Sequence, residues 1–171
     1  VHGLVVSVSL DGRVPSRDRT TLIAEVLGGG SEEAGATVAR ALSAASGGKF
    51  RLTFNVLPGL VESRRSDHLV EGTRIRALAA ASLRSWRGQI DLAGFDNDGA
   101  DGIAGSADDD GMLDFFLMAV EADQEVPSVT VRSGVPVGAA ARGQSLTSGA
   151  IHVLGLSRGG GDPLIAGIGL V

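Results

Sequence analysis

The chain has 171 residues, of which 43% are hydrophobic, and its formal net charge is −5. This length is enough for one domain with a buried core, and the composition excludes an intrinsically disordered chain. The lack of cysteine excludes disulfides and Cys-based zinc sites. No apolar run approaches the ~18 residues that a membrane-spanning helix needs. The basic residues are scattered, without a patch interleaved with aromatics, so we expect no nucleic-acid binding.

The first elements alternate between strand and helix. Residues 4–10 are an apolar, β-branched run that predicts a buried strand. Ser31 can cap a helix that ends near Gly47. Val38 and Leu42, which follow Ser31 in the chain, are apolar residues at helical spacing and indicate its buried face. The sequence therefore opens with a strand and a helix that can pack on it.

A second strand and helix follow. Residues 49–57 alternate apolar and polar side chains, which predicts a half-exposed strand that ends at Pro58-Gly59. Ser66 or Asp67 can cap a second helix that runs to about Trp86. Its predicted buried stripe consists of Leu69, Ile75, Leu78, Ala79, Ser82, Leu83 and Trp86.

The second half of the chain predicts mainly β-structure. We expect strands at 112–122 and 151–156, short extended pieces at 129–131 and 135–137, and a long loop at 138–149. Helices that alternate with strands in this order pack on a sheet. The predicted fold class is therefore α/β (α+β), a mixed sheet with two packed helices in one domain over 1–171.

An acidic, glycine-rich stretch at 95–114, the acidic loop, separates the second helix from the third main strand. Seven aspartates lie between Asp96 and Asp114, and no Lys or Arg lies among them. Between Gly88 and Val131 there are eleven acids and no bases, whereas the rest of the chain has nine acids and fifteen bases. The acidity is therefore local, which favours an ion site over a general acidic surface.

Calcium is the cation that this loop suits, because carboxylate and amide oxygens are its preferred ligands and glycines allow the tight turns around it. The pattern is not an EF-hand, since the sixth position from Asp96 is Asp101 and the twelfth is Ala107. A solvated acidic loop is the alternative interpretation. The first-choice ligands are Asp96, Asp98, Asp110 and Asp114, and the alternates are Asn97, Asp101, Asp108 and Asp109.

The order of these parts resembles the front half of the catalytic domain of secreted zinc metallopeptidases of the immune inhibitor A type, which have a zincin-like fold. The resemblance is carried by the first strand, by the helix, turn and strand at 42–53, and by Ile90-Asp91-Leu92-Ala93-Gly94-Phe95-Asp96. Asp-Asn-Asp-Gly, an acidic insertion, Asp-Gly-x-x-Asp and an apolar strand follow at 96–120. Only the acidic loop is specific to the family.

The family's zinc site is a helical His-Glu-x-x-His, in which two histidines hold zinc and the glutamate acts as base. No pair among His2, His68 and His152 is four residues apart, so this motif is absent. Residues 167–171 resemble the apolar run that precedes the zinc helix, and we expect that the chain is truncated there. In the alternative alignment, His152 ends a degenerate zinc helix in which Ser148 and Gly149 replace the first His and the Glu.

The resemblance implies a secreted, extracellular bacterial protein with a structural Ca²⁺ site in the acidic loop. The full-length protein would be a Zn²⁺-dependent endopeptidase that acts on a polypeptide substrate. The zinc ligands would lie outside this chain, which alone should not hydrolyse peptides. A calcium-stabilised extracellular domain without catalytic function, or a pseudopeptidase, is the alternative.

Overall fold

A computed structural model describes residues 1–10, 12, 38–61, 72–86, 88–97, 100–103, 106, 108–122, 129–139 and 145–157. These residues form a mixed sheet and two α-helices, which confirms the predicted fold class. The strands are β1 His2–Ser9, β2 Thr53–Val61, β3 Met112–Leu113, β4 Phe116–Ala122, β5 Val129–Ala139 and β6 Ser145–Ser157. The helices are α1 Val38–Ala45, α2 Gly72–Ser85 and a short 3₁₀ helix, Leu92–Phe95.

The centre of the sheet is parallel and one described edge is antiparallel. β1 lies between β2 and β4, and β4 pairs with β6, all in parallel. β5 pairs with β6 in antiparallel orientation. β3 and β4 pair with β6 in one common register, since Met112 pairs with Thr147 and Leu117 with His152. β3 and β4 therefore occupy the same position in the sheet, and the break between them lies at Asp114, where the acidic loop ends.

The two faces of the sheet are each covered by a helix. Alternate residues of β1 and β4 pack on one face with Ile75, Leu78 and Leu83 of α2. The intervening residues of both strands pack on the other face, where Leu42 of α1 is partly buried. This alternation is the expected consequence of the two-residue strand period. Parallel strands covered on both faces account for the nearly continuous apolar runs in the sequence.

Gly3 allows two aromatic rings to approach the backbone of β1. A Cβ at this position would lie 2.8 Å from Cδ1 of Phe54 and 3.0 Å from Cδ1 of Phe115. The two phenylalanines form an edge-to-face pair with ring centroids 5.5 Å apart. Because Phe115 directly follows the acidic loop, this packing helps to fix the point where the loop rejoins the sheet.

Several boundaries differ from the sequence predictions. β2 begins at Thr53 and continues through Pro58 and Gly59, because a register shift opposite Val6–Val8 accommodates the proline on a strand with only one paired edge among the described residues. β5 is one strand instead of two short pieces, and β6 begins at Ser145, within the predicted loop. At the start of β6, pairing with β3 on one side and β5 on the other overrides the weak strand propensity of the small, polar residues there.

The helices agree with the prediction within the described residues. Ile75, Leu78, Ala79, Ser82 and Leu83 are buried on α2 as expected. Trp86 is only half-buried. Ser31, Ser66, Asp67 and Leu69 lie outside the described residues.

The alternative alignment of a degenerate zinc helix is wrong for residues 148–156. Ser145–Ser157 is a strand that pairs with β3, β4 and β5. An extended segment of this kind cannot present two side chains four residues apart on one helical face. No described helix is long and apolar enough to cross a membrane.

Candidate cation site in the acidic loop

The 3₁₀ helix positions the start of the acidic loop. Oδ1 of Asp91 accepts a hydrogen bond of 3.1 Å from the backbone N–H of Ala93 and so caps the helix. Leu92, Ala93 and Phe95 are buried in the core on the α2 side of the sheet. Asp96 follows as the C-cap residue, and its backbone N–H donates to the carbonyl oxygen of Ala93. The loop therefore leaves the core with its first carboxylate already buried.

Asp96 and Asp114, the inner pair, lie next to each other although they stand at opposite ends of the loop. Oδ1 of Asp114 accepts a hydrogen bond of 3.2 Å from the backbone N–H of Asn97, and the N–H of Asp114 donates to the carbonyl oxygen of Phe95 at 2.9 Å. Asp96 is 2% exposed and Asp114 is half-buried. The structure thus brings the two ends of the acidic loop together at its base.

Each carboxylate of the inner pair has one buried oxygen. Oδ1 of Asp96 and Oδ2 of Asp114 are inaccessible to solvent and accept no hydrogen bond within the described structure, although both residues make other contacts. A buried carboxylate is costly unless a positive charge compensates it.

Asp101, Asp108 and Asp109, the outer cluster, surround Ser106 further out in the loop. The backbone N–H of Ser106 donates to Oδ2 of Asp109 at 2.6 Å, and its hydroxyl donates to Asp101 and Asp108. The N–H of Asp101 donates to Oδ2 of Asp108 at 3.2 Å. Asp101 and Asp108 are exposed and Asp109 is half-buried. These carboxylates are occupied by donors of the loop itself.

Asp110 forms a third, separate contact. Its Oδ1 accepts a hydrogen bond of 2.8 Å from the backbone N–H of Met112, and its side chain is exposed. Gly111 lies between them with a φ of 79°, a conformation that residues with a Cβ rarely adopt. This arrangement is an Asx turn that directs the chain into β3. Asp110 therefore has a structural role that does not require a cation.

The pKa of Asp108 is lowered below the ordinary value of 3.8, first by the hydroxyl of Ser106 and then by the backbone N–H of Asp101. Both donors favour the ionised form of the carboxyl group. Asp108 is therefore a carboxylate at neutral pH, stabilised by hydrogen bonds at a fully exposed position.

The eight predicted ligands do not form one complete centre in the structure. Asp114 contacts the chain at Asp96 and Asn97 at the base, Asp101, Asp108 and Asp109 lie around Ser106, and Asp110 is hydrogen-bonded to the backbone of Met112. Asp98 lies outside the described residues. Within the described part of the chain, no three acidic or histidine side chains are arranged as a metal site.

Two histidines that the sequence analysis did not connect with the loop support its two ends. His2 stacks on Phe95 and His152 stacks on Phe115, each with ring centroids 4.9 Å apart. Because Phe95 precedes one inner carboxylate and Phe115 follows the other, each end of the loop carries the same kind of contact. The Phe-Asp and Asp-Phe pairs that flank the loop were the only signal in the sequence.

Each histidine also contacts a threonine of a neighbouring strand. Nδ1 of His2 lies 2.6 Å from Oγ1 of Thr53 on β2, and Nδ1 of His152 lies 3.0 Å from Oγ1 of Thr130 on β5. Burial lowers the pKa of His152 below 6.5, so this imidazole is neutral at pH 7.

Comparisons with known proteins assign no family to this chain. No protein-family model matches the sequence, and no curated protein matches it significantly.

Proposed function

We propose that this chain is the N-terminal portion of the catalytic domain of a secreted zinc-dependent endopeptidase, and that its acidic loop binds a structural Ca²⁺. The observation that carries the calcium proposal is the inner pair, because Asp96 is only 2% exposed and the backbone groups on both sides of it are hydrogen-bonded to Asp114. The surrounding segment from Gly88 to Val131 contains no Lys or Arg. A cation bound at the base of the loop would interact directly with this buried carboxylate.

The donor set fits calcium better than a transition metal. Calcium takes six to eight oxygen ligands from carboxylates, carbonyl groups and water, whereas zinc prefers nitrogen and sulfur. The inner pair would supply two carboxylates, and Asn97, Asp98, backbone carbonyls and water are the candidates for the remaining positions. The outer cluster is the less suitable place, because the loop's own N–H and O–H groups already occupy its oxygens.

The sheet supports the peptidase part of the proposal. β5 is antiparallel to β6, and no described strand pairs with its other edge. An extended peptide can add to such an edge through backbone hydrogen bonds. A polypeptide substrate lying along this edge is therefore the partner that we propose. Calcium bound at the base of the acidic loop would fix the position of the loop against the sheet.

The zinc chemistry would have to come from residues outside this chain. In the full-length protein, zinc would activate the water that attacks the peptide bond. The chain contains no His-Glu-x-x-His, and the described residues contain no other metal centre. We therefore expect that it does not hydrolyse peptides by itself.

Thermal unfolding with calcium and with a chelator tests the calcium site. Calcium at 100 times its Kd would stabilise the folded state by about 2.7 kcal/mol, which corresponds to a rise in Tm of about 5–10 °C for a domain of this size. Asp96→Asn should abolish the rise, because it removes the charge of the buried ligand. The matched variant Asp101→Asn in the exposed outer cluster should retain it.

The outcome separates the two interpretations of the loop. An unchanged Tm in the wild-type protein would show that the loop is a solvated acidic segment. Loss of the rise in Asp101→Asn but not in Asp96→Asn would place the cation in the outer cluster and contradict the proposed ligands.

A second candidate function is a calcium-stabilised extracellular domain without catalytic activity. It is favoured by one observation, the lack of a His-Glu-x-x-His motif in this sequence. The native reading frame after the codon for Val171 decides between the two. A continuation into His-Glu-x-x-His supports the endopeptidase, whereas a stop codon or unrelated sequence supports the non-catalytic domain.

A further inference from the structure

The residues that flank the acidic loop connect it to the antiparallel strand β5, directly at the start of the loop and through β6 at its end. At the start of the loop, the 3₁₀ helix Leu92–Phe95 lies against β5. At its end, Phe115 stacks on His152 with an interplanar angle of 17°, and His152 lies within hydrogen-bond distance of Thr130 on β5. A change in the conformation of the loop can therefore reach β5 directly at the 3₁₀ helix and indirectly through His152 of β6.

β5 pairs with only one described strand, and that pairing is irregular. Its ladder with β6 is interrupted by register shifts between Arg132 and Val135 and between Pro136 and Gly138. Other contacts lie near its first residues, where Val129 and Val131 pack on the core and Nη2 of Arg76 donates to the carbonyl oxygen of Arg132 at 2.7 Å. Thr130 lies between these anchored positions and points to the opposite face. Strands with interrupted pairing open more readily than central strands.

We propose that the Thr130–His152–Phe115 contact couples the acidic loop to β5, so that ordering of the loop orders the strand. The choice of calcium as the ordering ligand rests on the proposed function, but the contact itself does not. The edge of β5, with which an extended peptide could pair, would then be better ordered when a cation occupies the loop. The coupling is reciprocal, so a peptide on β5 would also tighten cation binding.

Hydrogen exchange of the amides of 129–139 measures this coupling in the whole chain. Calcium should slow exchange in this segment by about fivefold or more, the lower end of typical coupling factors between sites. Thr130→Val should reduce that protection to less than twofold, because valine keeps the shape of the side chain and removes its contact with His152. Protection of residues 108–114 in the loop should remain.

Thr53→Val is the matched control. Thr53 makes the equivalent contact with His2, but it lies on β2 at the other side of the sheet. This variant should leave the calcium-dependent protection of β5 unchanged. Equal responses of β5 in the two threonine variants, or protection of the loop without protection of β5 in the wild-type protein, would overturn the proposed coupling.

The coupling can also be measured if calcium has no effect on the loop. In calcium-free protein, Asp114→Ala removes the hydrogen-bond acceptor of Asn97 and loosens the base of the loop. It should accelerate exchange of β5 in the wild-type background and have a smaller effect in the Thr130→Val background. Equal effects in both backgrounds would contradict the coupling. An absence of calcium protection in the loop would instead contradict the proposed cation site.

Discussion

The inner pair and the outer cluster contain the same chemical group in two different environments. Asp96 and Asp114 lie at the base of the loop, where Asp96 is 2% exposed and each carboxylate has one buried oxygen. Asp108 in the outer cluster is fully exposed and accepts hydrogen bonds from Ser106 and Asp101. The two groups lie within one acidic stretch of the sequence.

Because of this difference, the number of carboxylates in a segment does not by itself show where a cation would bind. An exposed carboxylate with hydrogen-bond donors is stable in water, and its interactions with other surface charges contribute little free energy. A buried carboxylate loses its hydration and needs compensation from the protein or from a bound ion. Burial therefore identifies the inner pair as the part of the loop where a cation would have the largest effect.

The largest expected difference between the two regions concerns their apolar side chains. Phe95 is 3% exposed and stacks on His2 beside the inner pair, whereas Ile103 is 63% exposed near the outer cluster. Phe95→Ala should destabilise the protein by about 3–5 kcal/mol, the usual cost of removing a buried phenylalanine. Ile103→Ala should change the free energy of unfolding by less than about 0.5 kcal/mol.

Denaturant unfolding of the two variants measures both values. If Phe95→Ala were as stable as Ile103→Ala, the base of the loop would not be anchored in the core. The inner pair and the outer cluster would then no longer differ in whether the residues beside them are anchored in the core.

Much of this core could be predicted from the sequence. The apolar run at 4–10 and the stripe of Ile75, Leu78 and Leu83 have strong periodicity, and all are buried as expected. The start of β6 at Ser145 could not be predicted, because small polar residues have little strand propensity of their own. Their extended conformation depends on pairing with β3 and β5.

The acidic loop could be identified from the sequence, but its division into two groups could not. That division depends on the 3₁₀ helix that buries Asp96 and on the contact of Asn97 with Asp114. Both arise from tertiary packing of residues that are distant in the chain. The stacking of His2 on Phe95 and of His152 on Phe115 has the same origin. Single-residue patterns carry no information about such pairs.

A smaller effect on stability is expected from His152, which stacks on Phe115, the residue directly after Asp114 of the inner pair. Its pKa is lowered by burial, so the folded state resists protonation that the unfolded state accepts below about pH 6.5. The free energy of unfolding should therefore fall as the pH drops from 6.5 to the lowered pKa of the folded state. The slope for one proton cannot exceed about 1.4 kcal/mol per pH unit.

Unfolding of wild-type protein and His152→Gln between pH 7.5 and 5 isolates this term. The stability of the wild-type protein relative to the variant should decrease on acidification, because glutamine does not titrate. A difference that is constant across this range would show that the imidazole is equally basic in both states and that Phe115 does not exclude water from it.

The smallest effect on stability is expected in the outer cluster, where Ser106 lowers the pKa of Asp108. A lowered folded-state pKa contributes stability above the unfolded value of about 3.8, and this contribution is lost as the pH falls through the folded-state pKa. Ser106→Ala should raise the pKa of Asp108, which an NMR titration of its carboxyl carbon measures. Ser85→Ala, a helix serine whose hydroxyl donates to the carbonyl oxygen of Ser82, should leave it unchanged.

Because Asp108 is fully exposed, Ser106→Ala should shift this pKa without a measurable change in Tm at pH 7. A clear drop in Tm would mean that the outer cluster contributes to the stability of the fold. The outer cluster and the buried base of the loop at the inner pair would then no longer differ in this respect.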